Sequence, residues 1–411
     1  MSVLELKLPA PHPAQEKILK SKARRITIMA GRQFGKSSLC VQICINEILK
    51  GKYTKGKHSI GKYPSVLYIT PRFSLAKRFF KEILNYLPAE IIEESNQTDL
   101  YIKLVTGGEI TFKSAEAGGI AFRGFRHSLI VCDEFAYYKN AKKFWTEDVE
   151  PCMSGYDGGR AYFISTPVGQ NYFYEMYMKG YNYEVEYDSF HFTAYDNPHI
   201  SHSFIDKKKE EYTELEFNQE YLAIPSANGA NPFGLNINKN VIPELSKLKS
   251  VSFGIDLAKS VDWSVIIGID NNGHMSFVDR WQSDWNITKS KIRTLPRNID
   301  KLIDSTGVGD PILDDLKLDV PNIKGVKFNK TSKQNLIREF IKAVETGAIK
   351  YTQVVADEMN VFEYKYNSST GHITYNAQAG YHDDLIVGAS LSWWQYNRRT
   401  RRNNSWCIGT A

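Results

Sequence analysis

The first residues of this 411-residue sequence that could do chemistry form a lysine-containing loop. The stretch IMAGRQFGKSS runs from Ile28 to Ser38 and follows an apolar segment. Backbone N–H groups of such a loop, with the start of the following helix, can hold phosphates. Lys36 would then reach the β- and γ-phosphates, and the Ser37 hydroxyl would bind Mg²⁺. The candidate nucleotide-binding residues of this loop are Ala30, Gly31, Arg32, Gln33, Phe34, Gly35, Lys36, Ser37 and Ser38.

The loop departs from the common pattern G-x-x-x-x-G-K-[ST] at two points. Ala30 stands where the pattern has its first glycine, and Arg32 lies inside the loop. Alanine is acceptable there if the position does not need a positive φ. The loop alone allows three interpretations. It could be an ordinary nucleotide site, a variant nucleotide site of a specialised molecular machine, or a strand–helix turn without a ligand.

An acidic pair follows the loop by roughly a hundred residues and ends the apolar run LIVCDE. Asp133 is predicted to hold the Mg²⁺ shell, and Glu134 to orient and deprotonate an attacking water. The run RAYFIST leads into the triplet STP, Ser165 to Pro167. Ser165 and Thr166 could sense the γ-phosphate, although by spacing alone an ordinary turn is equally consistent with them.

A second set of carboxylates lies in the second half of the chain. Asp256 and Asp304 end two apolar runs, and Asp383 with Asp384 begins a helical stretch. Carboxylates in this topological order predict an RNase H-like nuclease that holds two Mg²⁺ or Mn²⁺ ions roughly 3.5–4 Å apart. Successive helix residues point about 100° apart, so Asp383 and Asp384 are not expected to ligate equally. The sequence does not decide which of the two is the main metal ligand. Asp262 and His382 are further candidates for residues that assist at the metal site.

The elements that must position these residues follow two patterns. Continuous apolar runs separated by helical stretches predict a parallel sheet covered on both faces. A segment rich in Pro, Gly and Asn follows, and then three strands, further αβ units and a last helix over 382–396. The predicted domains are an ATPase unit over 1–225, a linker over 226–247, a nuclease unit over 248–397 and a basic tail over 398–411.

Composition narrows the class of protein. A hydrophobic content of 42% is that of a folded chain, and no apolar run is long enough to span a bilayer. The first residues lack the features of a secretion signal. Five scattered cysteines without a C-x-x-C pair predict neither a disulfide nor a zinc site. A net charge of +6, with basic clusters that include RRTRR at 398–402, permits a nucleic-acid partner.

The motifs AGRQFGKS, LIVCDE and STP, in that order, resemble the ATPase domain of the large terminase subunit of tailed double-stranded DNA phages. The carboxylates resemble the nuclease domain of the same family, which also has a GVG after Asp304 and an SK at Ser332–Lys333. The resemblance implies an α/β protein with an N-terminal P-loop (ASCE/RecA-like) ATPase domain and a C-terminal RNase H-like nuclease domain. It also favours the variant-loop interpretation, that of a translocating ATPase.

The same resemblance assigns further residues. It implies that Gln15 faces the adenine of ATP. An arginine in an RG step before the acidic strand is expected to reach the ATP site of a neighbouring subunit; Arg123 in AFRGFRHS matches best, with Arg126 as the alternative. The cofactors implied are ATP with Mg²⁺, and two Mg²⁺ or Mn²⁺ ions at the nuclease site.

The activity implied is ATP-driven translocation of viral double-stranded DNA into a procapsid, with metal-dependent cutting of the concatemer. The implied partners are double-stranded DNA, the portal protein, the small terminase subunit and further copies of the chain in a ring, with a pentamer as the expected form. The implied location is the host cytoplasm and, transiently, the portal vertex, without a membrane. Two rival interpretations are a helicase-like ATP-dependent nuclease and a DNA-binding scaffold whose sites have decayed.

Overall fold

The computed structural model of the chain describes residues 6–52, 62–118, 121–122, 124–226, 231–257, 263–306, 309–367, 372–378 and 381–407. The chain divides into two compact units. The first consists mainly of Met1–Glu211 and Leu215–Ala227, and the second mainly of Asn228–Asn367 and His372–Ala411. The segment predicted as a linker is thus grouped largely with the second unit, and the predicted domain bounds stay a proposal.

An eight-stranded sheet forms the centre of the N-terminal unit. Its strands lie in the order β3-β4-β5-β2-β6-β7-β1-β8. Neighbours from β5 to β8 pair in parallel, whereas β3, β4 and β5 pair antiparallel. The strands are β1 (Arg25–Ala30), β2 (Ser65–Thr70), β3 (Ile92–Asn96), β4 (Tyr101–Leu104), β5 (Glu109–Ser114), β6 (Leu129–Asp133), β7 (Arg160–Ser165) and β8 (Tyr187–Phe192).

The strand order brings the predicted motifs to one edge. β6 carries the acidic pair at its end, β7 leads into Ser165 and Thr166, and β1 leads into the phosphate loop. Since these three strands run parallel and lie side by side, their carboxyl ends meet at the same edge of the sheet. Their near-continuous burial explains why each is mostly apolar.

Helices cover this sheet. The helix α2 begins at Lys36, directly after the phosphate loop, and packs its buried residues from Leu39 to Ile48 against the strands. The helices in this part of the chain are α1 (Pro13–Leu19), α2 (Lys36–Ile48), α3 (Phe73–Tyr86), α4 (Ala141–Lys143), α5 (Tyr172–Tyr181), α6 (His202–Glu211) and α7 (Glu214–Glu220). None of the helices that the structure describes is both long and apolar enough to cross a membrane.

A five-stranded sheet forms the centre of the C-terminal unit, in the order β11-β10-β9-β12-β13. The first three strands pair antiparallel, and β12 pairs in parallel with both β9 and β13. A hairpin, β14 and β15, pairs separately. The strands are β9 (Ser250–Asp256), β10 (Ser264–Asp270), β11 (Met275–Trp281), β12 (Asp300–Asp304), β13 (Ile323–Val326), β14 (Phe362–Asn367) and β15 (His372–Ala377).

The last helix lies directly on this sheet. A Cβ on Gly254 of β9 would come within 2.1 Å of the Gly388 carbonyl oxygen, so only glycine permits this close approach. The helices of this unit are α8 (Trp285–Arg293), α9 (Gly309–Lys317), α10 (Lys330–Glu345), α11 (Gln353–Asn360) and α12 (Asp384–Cys407). The arrangement confirms the predicted fold class, a P-loop α/β unit followed by an RNase H-like unit.

The end of the last helix differs from the prediction. We expected it to stop at Tyr396 and to be followed by a basic tail over 398–411, but α12 continues to Cys407. Neither glycine nor proline follows Tyr396 until Gly409, so the sequence supplies no residue that would end the helix earlier. The arginines at 398–402 therefore belong to a helix.

Candidate functional site

The phosphate loop turns sharply between β1 and α2. Gly35 has φ +96° and Gln33 has φ +65°, both in the left-handed region. The Lys36 ammonium donates to the carbonyl oxygens of Ala30 (3.0 Å) and Gly31 (3.2 Å), so it folds back across the loop. A phosphate bound in the loop would therefore lie next to the Lys36 charge.

Side chains from outside the loop hold its carbonyl groups. His12 Nε2 lies 2.9 Å from the Phe34 carbonyl oxygen, which can only accept, so Nε2 carries the proton. Asn197 donates to the Gln33 carbonyl oxygen at 2.6 Å. These bonds help to fix the shape of the loop, which lowers the ordering cost of binding a nucleotide.

Gln15, predicted to face adenine, is buried and bound to the same loop. Its amide nitrogen donates to the Gly35 carbonyl oxygen (2.9 Å) and to Ser38 Oγ (3.1 Å), while its oxygen accepts from the His12 backbone N–H at 3.1 Å. Both polar atoms of the amide are therefore engaged, the nitrogen by the loop and the oxygen by the start of α1. A bond to adenine would require these contacts to be exchanged.

Arg32, the unusual arginine of the loop, pairs with Glu220 at the end of α7. Arg32 Nε lies 2.6 Å from Glu220 Oε2. Burial raises the pKa of Glu220, and the neighbouring Arg32 charge opposes that rise. The Arg32 backbone N–H also donates to the Glu220 carbonyl oxygen. Arg32 thus ties the phosphate loop to the segment that follows the N-terminal sheet.

Gly31→Ala is expected to destabilise the protein. An added Cβ would lie 2.2 Å from the Tyr221 carbonyl oxygen and 3.0 Å from the Ala194 backbone nitrogen, and backbone atoms cannot simply rotate away. We expect a loss of about 1–3 kcal/mol in the free energy of unfolding, with weaker ATP binding. Denaturant titration measures the first effect. Gly51→Ala is the matched control, because its Cβ would meet nothing within 4 Å; equal stabilities would contradict the packing assigned to Gly31.

The acidic pair lies across β7 from the loop. Tyr68 donates to Asp133 Oδ2 at 2.6 Å. Burial and the Glu134 charge raise the pKa of Asp133 to about 7, while Tyr68 and Lys36 oppose the rise. A carboxylate held this unfavourably is a suitable partner for a cation, since Mg²⁺ would favour its charged form.

Glu134 occupies a strained backbone position. It has φ +51° and ψ +43°, which is uncommon for a residue with a Cβ and is typical of functional sites. Ser165 donates to its carboxylate at 3.1 Å, and Tyr137 Oη lies 3.4 Å from Thr166 Oγ1. The structure therefore brings the predicted water-activating acid and the predicted sensor triplet together through a direct hydrogen bond.

The second predicted site lies at the ends of β9 and β12. Their parallel register places Ile303 opposite Ile255, so Asp304 and Asp256 follow as neighbours. Burial raises the pKa of Asp256 well above its usual range, and the charges of Asp304, Asp384 and Asp383 raise it further. The four acids, here called the carboxylate cluster, therefore act on one another electrostatically.

Asp383 and Asp384 differ in their surroundings. Asp384 is 14% exposed, and its Oδ2 lies 3.5 Å from Arg280. Asp383 is 29% exposed and lies 3.6 Å from Lys333. Asp384 has the larger effect on the pKa of Asp256. Of the two, Asp384 is therefore the more buried and the more strongly coupled to Asp256 by charge.

The cluster is not closed around an ion. Among the described residues, no three His, Cys, Asp or Glu side chains lie within reach of a single metal ion. Asp304 Oδ1 accepts from the Thr306 backbone N–H at 2.8 Å and so supports its own turn. The donors nevertheless suit hard cations, because all four are carboxylates that repel one another. Binding would require side-chain rotations that bring them together.

A model of the family described as "Terminase large subunit, T4likevirus-type, N-terminal" matches residues 27–237, about half of the chain. The chain belongs to the terminase large subunit family. Its match covers the phosphate loop, the acidic pair and the sensor triplet, which are the motifs that suggested the family.

Relatives of this terminase extend the likeness along the chain. It is 24% identical to the terminase large subunit of Thermus phage G20c over 94% of its own length and 87% of that protein. The protein of Thermus virus P23-45 gives the same three values. Among solved structures, the large terminase of another thermophilic bacteriophage is 13% identical, covers 95% of this chain and 98% of that one, and has a TM-score of 0.50. This last likeness supports the fold alone.

Several predicted residues of the terminase are not placed. Arg123, Asp262 and the Gly307–Val308 pair lie outside the described residues. The alternative finger, Arg126, is exposed and lies over Gly155. His382 Nδ1 lies 3.7 Å from Asp384 Oδ2, beside the carboxylate cluster.

Other residues of the sites were missed by sequence reasoning. His12, Tyr68 and Glu220 hold the nucleotide site, and Arg280 and Glu358 adjoin the carboxylate cluster. Each comes from an element distant in sequence from the motif that it contacts. Only His12, at the start of α1, lies close in the sequence to a predicted site residue, Gln15.

Proposed function

We propose that this terminase chain hydrolyses ATP to move viral double-stranded DNA into a procapsid, and that it cuts concatemeric DNA with a second, metal-dependent site. The observation that supports this proposal is that one member of the terminase family has two groups of residues suited to handling phosphates. One joins the phosphate loop, the acidic pair and the sensor triplet; the other gathers four carboxylates at the end of an RNase H-like sheet.

At the motor site, Lys36, Ser37 and Asp133 are the groups proposed to hold MgATP. The ion would neutralise charge on the β- and γ-phosphates. Glu134 would accept the proton of the attacking water. Ser165, at the end of β7, donates a hydrogen bond to Glu134. Loss of the γ-phosphate would move β7 through this bond and so shift a surface that grips DNA.

At the nuclease site, Asp256, Asp304 and Asp384 are the proposed ligands, with Asp383 beside them. Two divalent ions would stabilise the attacking and leaving oxygens at phosphorus. The protein's part is to hold carboxylates that repel one another in one place, so that cations are favoured there. DNA contacts should be mostly to phosphates, because packaging must ignore sequence.

The partners follow from this function. We propose that the chain works as a homo-oligomeric ring, with a pentamer as the expected form, on the portal protein of the procapsid. The small terminase subunit would deliver the DNA. The place of action would be the host cytoplasm and, during packaging, the portal vertex.

The test is a packaging assay with procapsids of the same phage. Purified chain, double-stranded DNA and ATP should protect genome-length DNA from added nuclease only when procapsids are present. A helicase-like nuclease would hydrolyse ATP without protecting DNA, and a scaffold with decayed sites would neither hydrolyse ATP nor cut plasmid in Mn²⁺. Either result would contradict the proposed function.

Arg123→Ala is expected to lower ATP hydrolysis only in the assembled ring. A finger arginine from a neighbouring subunit contributes roughly 10³–10⁵ in rate, so the procapsid-stimulated rate should fall by a factor in that range. The slow rate of the free chain should be unchanged. Arg126→Ala is the matched comparison. If Arg126→Ala loses the procapsid-stimulated rate while Arg123→Ala keeps it, Arg126 is the finger arginine and Arg123 is not.

A further inference from the structure

A permanent positive charge lies beside the proposed metal ligands and has no task in the mechanism above. Arg280 of β11 places one terminal nitrogen 3.5 Å from Asp384 Oδ2 and the other 3.8 Å from Glu358 Oε2. Only 25% of its side chain is exposed. The guanidinium therefore lies at the carboxylate that begins α12.

Arg280 is held in place by its neighbours. Its guanidinium carbon lies 4.7 Å from the centre of the Trp263 ring, within the range of a cation–π contact. Glu358 is 6% exposed and accepts from the Ile386 backbone N–H at 3.1 Å, in the first turn of α12. If Arg280 moved away, a buried carboxylate would lose its cation, which is costly. The charge therefore stays at the cluster when other ions arrive.

The charges around Asp384 indicate the role of Arg280. The four acids of the carboxylate cluster and Glu358 lie near two permanent cations, Arg280 and Lys333. A divalent ion that uses Asp384 as a ligand must approach the oxygen that Arg280 already faces. Two positive groups at one carboxylate repel each other, and at this low exposure solvent screens the repulsion weakly.

We propose that Arg280 is a resident counter-ion that weakens divalent-metal binding at the carboxylate cluster and so restrains the nuclease. This inference rests on the proposed nuclease function. Arg280 acts through Asp384 and is a positioning residue, not a catalytic one. It stabilises the metal-free cluster and thereby competes with the ions that cutting requires.

The experiment is a Mn²⁺ titration of the full chain without nucleotide or DNA, followed by electron paramagnetic resonance of free Mn²⁺. Arg280→Gln should bind Mn²⁺ at the cluster at least about tenfold more tightly than the unchanged protein. Arg280→Lys, which keeps the charge, should bind close to the original affinity. Arg293→Gln is the matched control, because Arg293 pairs with Asp315 and Asp319 on the surface of the same unit.

A second measurement tests the stabilising half of the proposal and checks folding. In a chelator, Arg280→Gln should unfold at a lower temperature than the unchanged protein, and added Mn²⁺ should raise its unfolding temperature by the larger amount. A merely structural arginine would lower the unfolding temperature without tightening Mn²⁺ binding.

The outcomes separate this proposal from the nuclease assignment. If Asp256→Ala removes Mn²⁺ binding but Arg280→Gln binds no more tightly than the unchanged protein, the counter-ion role is wrong and the metal site stands. If Asp256→Ala leaves Mn²⁺ binding unchanged, the metal site itself is wrong, and the role of Arg280 falls with it.

Discussion

Glu134→Gln should bind ATP normally and hydrolyse it roughly 10²–10⁴ times more slowly, the range that a positioned general base contributes. Glutamine keeps the size of the side chain and can still accept the Ser165 hydrogen bond through its amide oxygen. It cannot take the proton of a water at neutral pH. The loss should therefore appear in kcat, with little change in the affinity for ATP.

The measurement is procapsid-stimulated ATPase activity, together with binding of a fluorescent ATP analogue. Glu210→Gln, a change at an exposed acid of α6, is the control and should match the unchanged protein. A Glu134→Gln protein that binds ATP and turns it over at near the original rate would remove Glu134 as the base. Asp133 would then be the acid to examine, because its carboxyl also lies at this edge.

Most of the nucleotide site could be predicted because its motifs are local. Lys36 follows β1 after the phosphate loop, and Asp133 and Ser165 end the buried parallel strands β6 and β7. Parallel strands covered on both faces are almost continuously apolar, which makes them recognisable in a sequence. Their common edge then follows from topology, without any knowledge of distances.

The supporting contacts could not be predicted, for an equally physical reason. The contact of Gln15 with adenine stays a prediction, whereas its hydrogen bond to the phosphate loop, which forms because α1 packs beside Gly35, was not predicted. The ion pair of Arg32 with Glu220 joins residues far apart in the chain. No period or spacing encodes which side chain from a distant element reaches a given carbonyl or charge.

Edge elements were also missed. β3 reads IEESN and β8 reads YDSFHF, and both mix polar with apolar residues because each lies at an edge of the sheet, partly in water. The different surroundings of Asp383 and Asp384 likewise needed the structure. The angle between successive helix residues predicts that the two differ, and the structure shows that Asp384 faces Arg280 whereas Asp383 faces Lys333.

Asp256→Asn should abolish DNA cutting while leaving ATP hydrolysis largely intact, since the change removes a proposed metal ligand and lies in the C-terminal unit. Loss of a group that merely orients a ligand costs about 10- to 100-fold, so loss of the ligand itself should lower plasmid cleavage at least 100-fold. Cleavage in Mn²⁺ and procapsid-stimulated ATPase activity, measured on the same preparation, separate the two effects. Asp314→Asn, at an acid of α9 that is 74% exposed, is the control.

The same substitution should stabilise the metal-free protein. Burial and the neighbouring acids raise the pKa of Asp256 well above its unfolded value, so at neutral pH folding must either bury its charge or supply it with a proton, and both cost free energy. Asparagine has the same shape without that charge; its unfolding temperature in a chelator should therefore be equal or higher. Stabilisation by Mn²⁺ should disappear at the same time. A variant that loses cutting because it unfolds more easily would point instead to a structural aspartate, as would one that still gains stability from Mn²⁺. A group that costs stability and yet is required for activity is what a metal ligand without its metal should be.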